Sequence, residues 1–200
     1  MMAVHDQARE LEENLPLYLT QEYEPGYEVI IIDDTSTDDT TDVLKRLKGE
    51  YEHLYTTFLP KPNRLLVHKK MALNIGIKAA KKDWIIITKI NTRLEATDVL
   101  QSIAENMDDD AELTLGYMGK KGIRLQPFAD CQDARDHLRK AERRLKKVRD
   151  RKRMNYTWGR YDFIVIRKDQ AQQILNFYEE KISAWSLLGI RLRIIFKNLF

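Results

Sequence analysis

Cysteine is nearly absent from this chain. Cys131 is the only one, which excludes an internal disulfide and any zinc site built from several thiolates. A reducing compartment is therefore expected. The four histidines, His5, His53, His68 and His137, show no ligand spacing, so they suggest no zinc site either. Long apolar runs are missing as well. None approaches the roughly 18 residues that a membrane-spanning helix needs, and the start, MMAVHDQARE, has no basic n-region or apolar core of a secretory signal. Glycine (8) and proline (5) are too sparse to mark a linker, and no internal repeat is present. At 200 residues, the chain is expected to form one domain with a sizeable core.

What is present is ordinary in amount and uneven in place. The chain is 43% hydrophobic and 32% charged, with a net charge of +3. Between Arg135 and Arg153 lie 11 Lys or Arg and three acids; removing them from the 34 basic and 31 acidic residues leaves the remainder at −5. The positive charge sits in one segment.

The most informative stretch is Glu28 to Thr40, EVIIIDDTSTDDT. A continuous β-branched run, Val29 to Ile32, suits a strand buried on both faces, as in a parallel sheet. Asp33 and Asp34 then stand at its carboxyl end, where open α/β sheets bind ligands. The plainer reading is that they turn the chain and cap the next helix. Thr37, Asp38 and Asp39 suffice for that, so the ligand role is favoured.

Elsewhere the pattern alternates. Met1 to Val4 reads as the end of a strand whose beginning is absent, with His5 to Gln7 as its exit loop. Ala8 to Thr20 reads as a helix with Leu11, Leu15 and Leu19 on one face, interrupted or restarted at Pro16. A helix over about 41–50 follows the central strand. His53 to Leu59 and Trp84 to Thr88 read as strands, and 65–80 and Leu94 to Met107 as helices. Glu112 to Tyr117 reads as a fifth strand. This alternation implies an α/β fold with a doubly wound, mostly parallel sheet and flanking helices. Beyond Gly119, Phe128 to Asp150 reads as one long helix with an apolar stripe of Leu138, Ala141, Leu145 and Val148. Tyr161 to Arg167 reads as a strand, and Asp169 to Glu180 as a helix capped by Asp169.

Several of these stretches resemble family 2 glycosyltransferases of the GT-A type, in particular the bacterial membrane-associated branch. They are ENLPLYLTQEY (Glu13 to Tyr23), EVIIIDDTSTDDT, HKKMALNIGIKAAKKDWIIIT (His68 to Thr88) and LTLGYMG (Leu113 to Gly119). WGRYDFIVIRKD (Trp158 to Asp169) is a weaker match, at the family's Gly-Arg-Asn segment. The resemblance implies a single GT-A-like domain over residues 1–169, its first strand truncated, and a helical tail over 170–200. It implies a UDP- or GDP-sugar donor and a glycan or lipid acceptor of the cell envelope. In the family, carboxylates matching Asp33 and Asp34 contact base and ribose, with the loop of His5 and Asp6 beside them. Basic residues matching Arg64, Lys69 and Lys70 lie near the base or diphosphate, which suits the needs of a diphosphate. Without the resemblance, Lys69 and Lys70 would read as a solvated helix face.

Two departures stand out. The family carries Asp-x-Asp after the WIIIT strand, holding Mg²⁺ or Mn²⁺ on the donor diphosphate. Here that place is Lys89-Ile90-Asn91, and hard divalent ions need oxygen ligands. No metal site is expected; Lys89 and Asn91 remain donor-site candidates, with the Lys89 ammonium in place of the ion. The family also supplies a carboxylate base well after the Gly-Arg-Asn segment. The nearby acids here are Asp162, Glu179 and Glu180, each expected to be a surface charge.

The basic segment reads first as a solvated helix face. Each of its cations would gain roughly 1 kcal/mol near an anionic leaflet. The tail interleaves Trp185, Leu187, Leu188, Ile190, Ile194, Ile195 and Phe196 with basic residues. It suits either an interfacial helix or packing over the sheet. The expected location is cytoplasmic, peripheral on the inner face of the cell membrane. A nucleic-acid role is disfavoured, since no aromatic residue is interleaved between Arg135 and Arg153. A non-catalytic paralogue that binds nucleotide or a partner is the alternative, and a basic membrane- or nucleic-acid-binding module on the same fold a further one.

Overall fold

The computed structural model describes residues 1–59, 65–119, 122–147 and 161–171, with 65–70 and 141–147 described by their backbone alone. Three parallel strands come first: β1 (Met2–Val4), β2 (Val29–Asp33) and β3 (Leu54–Phe58), joined through helices α1 (Ala8–Leu19) and α2 (Thr40–Glu50). Then follow α3 (Leu65–Ala79), β4 (Trp84–Thr88), α4 (Val99–Asn106), β5 (Leu113–Gly119), β6 (Gly122–Phe128), α5 (Cys131–Lys147) and β7 (Phe163–Arg167).

The central strand is buried along its whole length. Val29 and Ile31 pack with Leu11, Leu15, Val43 and Leu47 on the α1/α2 side. Ile30 and Ile32 pack with Ala72 and Leu73 of α3 on the other. Burial on both faces is why the run is apolar without alternation. Each such side chain contributes about 1.5–3 kcal/mol.

The second half of the molecule is antiparallel. β4, β7, β5 and β6 lie in that order, each paired antiparallel to the next. Met1 joins the two halves: its nitrogen donates to the Ile86 carbonyl and its carbonyl accepts the Thr88 N–H. The strand order across the molecule is thus β3-β2-β1-β4-β7-β5-β6. The parallel sheet with flanking helices is the expected α/β arrangement; its antiparallel extension adds β6, which the sequence did not suggest. Pro127 sits in β6 on the sheet edge, where a missing N–H is tolerated. Phe128 therefore closes a strand instead of opening a helix, and α5 begins at Cys131.

Other boundaries also shift. Helix α1 runs unbroken through Pro16; the carbonyl left without a helical donor belongs to exposed Glu12, while Leu11, Leu15, Tyr18 and Leu19 anchor the opposite face. Helix α4 starts at Val99, because the carbonyls of Ala96 and Thr97 accept from the Gln21 side chain and the Glu22 N–H. Asp169 lies in a 3-10 turn, Lys168–Gln170, and its carboxylate is 3.7 Å from the Arg167 guanidinium. The remainder of the helix expected to follow it lies outside the described residues, as does the tail 172–200. Among the described residues, no helix is long and apolar enough to cross a membrane.

Candidate functional site

The register sets Val4, Asp33 and Phe58 side by side at the carboxyl ends of β1, β2 and β3. Asp33 and Asp34 are both buried there, 5% and 8% exposed. Asp33 holds the following loop: Oδ1 accepts the Ser36 N–H at 3.0 Å and Oδ2 the Thr41 hydroxyl at 3.1 Å. Asp34 is fixed through its backbone, donating to the Val4 carbonyl at 2.8 Å and meeting His5 Nδ1 at 2.6 Å through its own carbonyl. The chain reverses at Thr35, whose φ of 56° is left-handed.

Two loops interlock around this point. Asp6, also left-handed (φ 49°), accepts the Thr37 and Asp38 N–H groups at 2.6 and 3.3 Å through Oδ1. Asp38 reaches back, accepting Ala8 N–H at 3.1 Å and Thr40 N–H at 3.0 Å. One carboxylate thereby satisfies the starts of both α1 and α2, a role otherwise filled by two N-cap side chains. The Thr37 N–H holds the Asp6 carboxyl below its usual range. For Asp38, desolvation pushes upward, and the hydrogen bonds from Thr40 and Ala8 outweigh it, leaving a lowered value. Asp6 thus braces the loop with its carboxylate, and His5 lies half-exposed beside it, Nε2 being 3.5 Å from Asp6 Oδ2.

At the carboxyl end of β4, Lys89 is partly buried, Ile90 is buried and Asn91 exposed. The buried Tyr18 hydroxyl pins this turn, donating to the Lys89 carbonyl at 3.4 Å and to that of Thr92. Desolvation pushes the Tyr18 phenol up to about 12. Of the three residues at the Asp-x-Asp place, only Asn91 offers a side-chain oxygen. That donor set does not fit Mg²⁺ or Mn²⁺, and among the described residues no group of three His, Cys, Asp or Glu could hold a metal ion.

Asp162 corrects an expectation. It is not a surface charge but partly buried, just before β7 and level with Thr88. Its Oδ2 accepts the Met118 N–H at 2.7 Å, its N–H donates to the Gly116 carbonyl at 2.9 Å, and its carbonyl accepts the Thr88 hydroxyl at 3.0 Å. Only the pairing of β7 with β4 and β5 puts it at this edge; WGRYD in the sequence carries no such signal.

The other expected residues are less defined. Arg64 lies outside the described residues. Lys69 and Lys70 fall early in α3, a helix that follows the carboxyl end of β3. In α5, Cys131, Ala134 and Leu138 are buried; the stripe residues Ala141 and Leu145 are described by backbone only, and Val148 to Arg153 lie outside the description. A half-open apolar cavity of about 350 Å³, lined by Tyr18, Tyr27, Trp84, Leu94, Ile103 and Phe163 among others, lies on the α4 side. Asp33 and Asp34 are not among its walls.

The family model of glycosyl transferase family 2 matches residues 1–112. Among solved structures, S. aureus TarS 1–349 superimposes with a TM-score of 0.53 at 14% identity, covering 84% of this chain and 45% of that one. The mannosyltransferase PcManGT from Pyrobaculum calidifontis, in complex with GDP-Man and Mn²⁺, gives 0.48 at 24% identity, covering 56% and 32%. Glucosyl-3-phosphoglycerate synthase from Mycobacterium tuberculosis, in complex with UDP, gives 0.47 at 13%, covering 84% and 55%. The TarS likeness speaks for the fold. The chain spans about a third to a half of the length of these proteins. No curated protein matches it.

Proposed function

The chain belongs to glycosyl transferase family 2, and on that premise we propose that it binds a UDP- or GDP-sugar along the carboxyl edge of β2, β1 and β4. Asp33 and Asp34 meet the nucleoside, beside His5 and Asp6. Arg64, Lys69, Lys70, Lys89 and Asn91 serve the diphosphate end, where cations and free helix N–H groups favour phosphate. The observation that carries this reading is the burial of two adjacent carboxylates at the end of a central parallel strand, the position at which such sheets take ligands. The chain then transfers the sugar to a glycan or lipid acceptor of the cell envelope, at the inner face of the membrane, with its basic segment against anionic lipid.

Calorimetry with UDP and GDP tests the donor site. Binding that is insensitive to EDTA and weakened in Asp34→Asn supports it; no binding at millimolar nucleotide sinks it. The Lys89-Ile90-Asn91 segment favours a second reading, a nucleotide-binding relative without turnover. Nucleotide binding with no donor cleavage under any acceptor would select it. Flotation with anionic liposomes tests the membrane role, and failure to float removes it.

A further inference from the structure

A carboxylate that the donor reading leaves unused, Asp162, stands at the same edge of the sheet as Asp33 and Asp34. We infer that Asp162 takes the proton of the acceptor hydroxyl during sugar transfer, an inference that rests on the nucleotide-sugar reading above.

The first argument is position. Strand β7 runs antiparallel to β4, with Thr88 opposite Phe163, so the residue entering β7 lies at the same edge as the carboxyl ends of β1, β2 and β4. From β2 to β7 there are three inter-strand steps, β2-β1, β1-β4 and β4-β7, or about 14 Å at the usual strand spacing. An extended nucleoside diphosphate sugar spans a distance of that order between nucleoside and sugar. A donor held at Asp33 and Asp34 and laid across Lys89 therefore brings its anomeric carbon toward Asp162.

The second argument is preorganisation. The backbone of Asp162 is held from two strands, by the Thr88 hydroxyl at 3.0 Å and the Gly116 carbonyl at 2.9 Å. Its carboxylate is oriented by the Met118 N–H at 2.7 Å on Oδ2. Glu179 and Glu180, the other acids near in sequence, lie outside the described residues.

The step balances without a further reactant. The acceptor oxygen forms a bond to the anomeric carbon while the bond from that carbon to the diphosphate oxygen breaks. The electron pair leaves with the nucleoside diphosphate, and the hydroxyl proton passes to the Asp162 carboxylate.

The test is cleavage of UDP-glucose, UDP-GlcNAc and GDP-mannose by the whole chain, with water as acceptor, beside UDP and GDP calorimetry. Asp162→Asn keeps an oxygen for the Met118 N–H but cannot take the proton. Turnover should fall by roughly a hundredfold to ten-thousandfold, with nucleotide affinity and melting temperature unchanged. Asp162→Glu should keep measurable turnover and the acid limb of the pH–rate profile. Undiminished turnover in Asp162→Asn overturns the inference. If that variant fails to fold, a Glu variant whose pH profile has lost its acid limb overturns it. A chain that binds nucleotide but cleaves no donor overturns the inference and leaves the donor-binding reading standing, whereas absence of nucleotide binding removes the donor reading and this inference with it.

Discussion

Asp6 accepts the Thr37 N–H at 2.6 Å across thirty-one positions of sequence. With Asp38 returning to Ala8, it ties the β1–α1 loop to the β2–α2 loop, the segment that follows the buried Asp33 and Asp34. The shape of the candidate donor site depends on this pair of crossings.

Acid should loosen it. Asp6 and Asp38 are both held below the ordinary carboxylate value of 3.8, so each favours the folded loop when ionised. Their contribution is complete above the unfolded value and is lost as pH falls through the lower folded one. Hydrogen exchange at Thr37, Asp38 and Ala8 should accelerate below about pH 4 relative to the rest of the chain. Asp6→Asn should abolish most of that dependence at Thr37; an unchanged profile would argue against the crossing.

Asp33 has a measurable structural share. Asp33→Ala strips the Ser36 N–H and Thr41 hydroxyl of their shared acceptor, and should destabilise by about 1–3 kcal/mol, the range for orphaned buried polar groups. Thr41→Val removes one bond and should cost about 0.5–1.5 kcal/mol. Urea denaturation of both variants decides whether Asp33 serves structure as well as ligand.

Gly116 is required by a ring. A Cβ there would lie 2.0 Å from Phe163 Cε2, since the two residues pair across β5 and β7. Gly116→Ala should cost about 1–3 kcal/mol through overpacking. A smaller residue at 163 should relieve part of it, seen as a positive coupling in a double-mutant cycle of melting free energies.

Cys131 should resist labelling. Burial pushes its thiol up to about 11, helped by Glu112 and Asp130, so the thiolate is scarce at pH 8. Maleimide should react slowly with the native chain and rapidly in urea. Fast native labelling would contradict the packing of α5 on β5 and β6.

How much of this was legible depended on distance. The runs VIII and WIII announced β2 and β4, because burial on both faces leaves no polar position to alternate. The capping acids after β2 were visible for the same local reason. Strand β6 was hidden by Pro127, which an edge strand tolerates and a central one does not. Helix α1 looked broken at Pro16 because the sequence shows the lost hydrogen bond and hides the packing of Leu11, Leu15 and Leu19 that outweighs it.

The amino-acid sequence alone determined the α/β alternation and the acids at the end of β2, since each is written in neighbouring residues. The tertiary structure alone decided what those groups touch. Asp38 serves two helices, Asp6 ties two loops, and Asp162 reaches the edge of the sheet only because β7 inserts antiparallel between β4 and β5. Hydrogen-bond partners thirty or more residues apart are set by strand order and register, and neither is encoded in any local window of the chain.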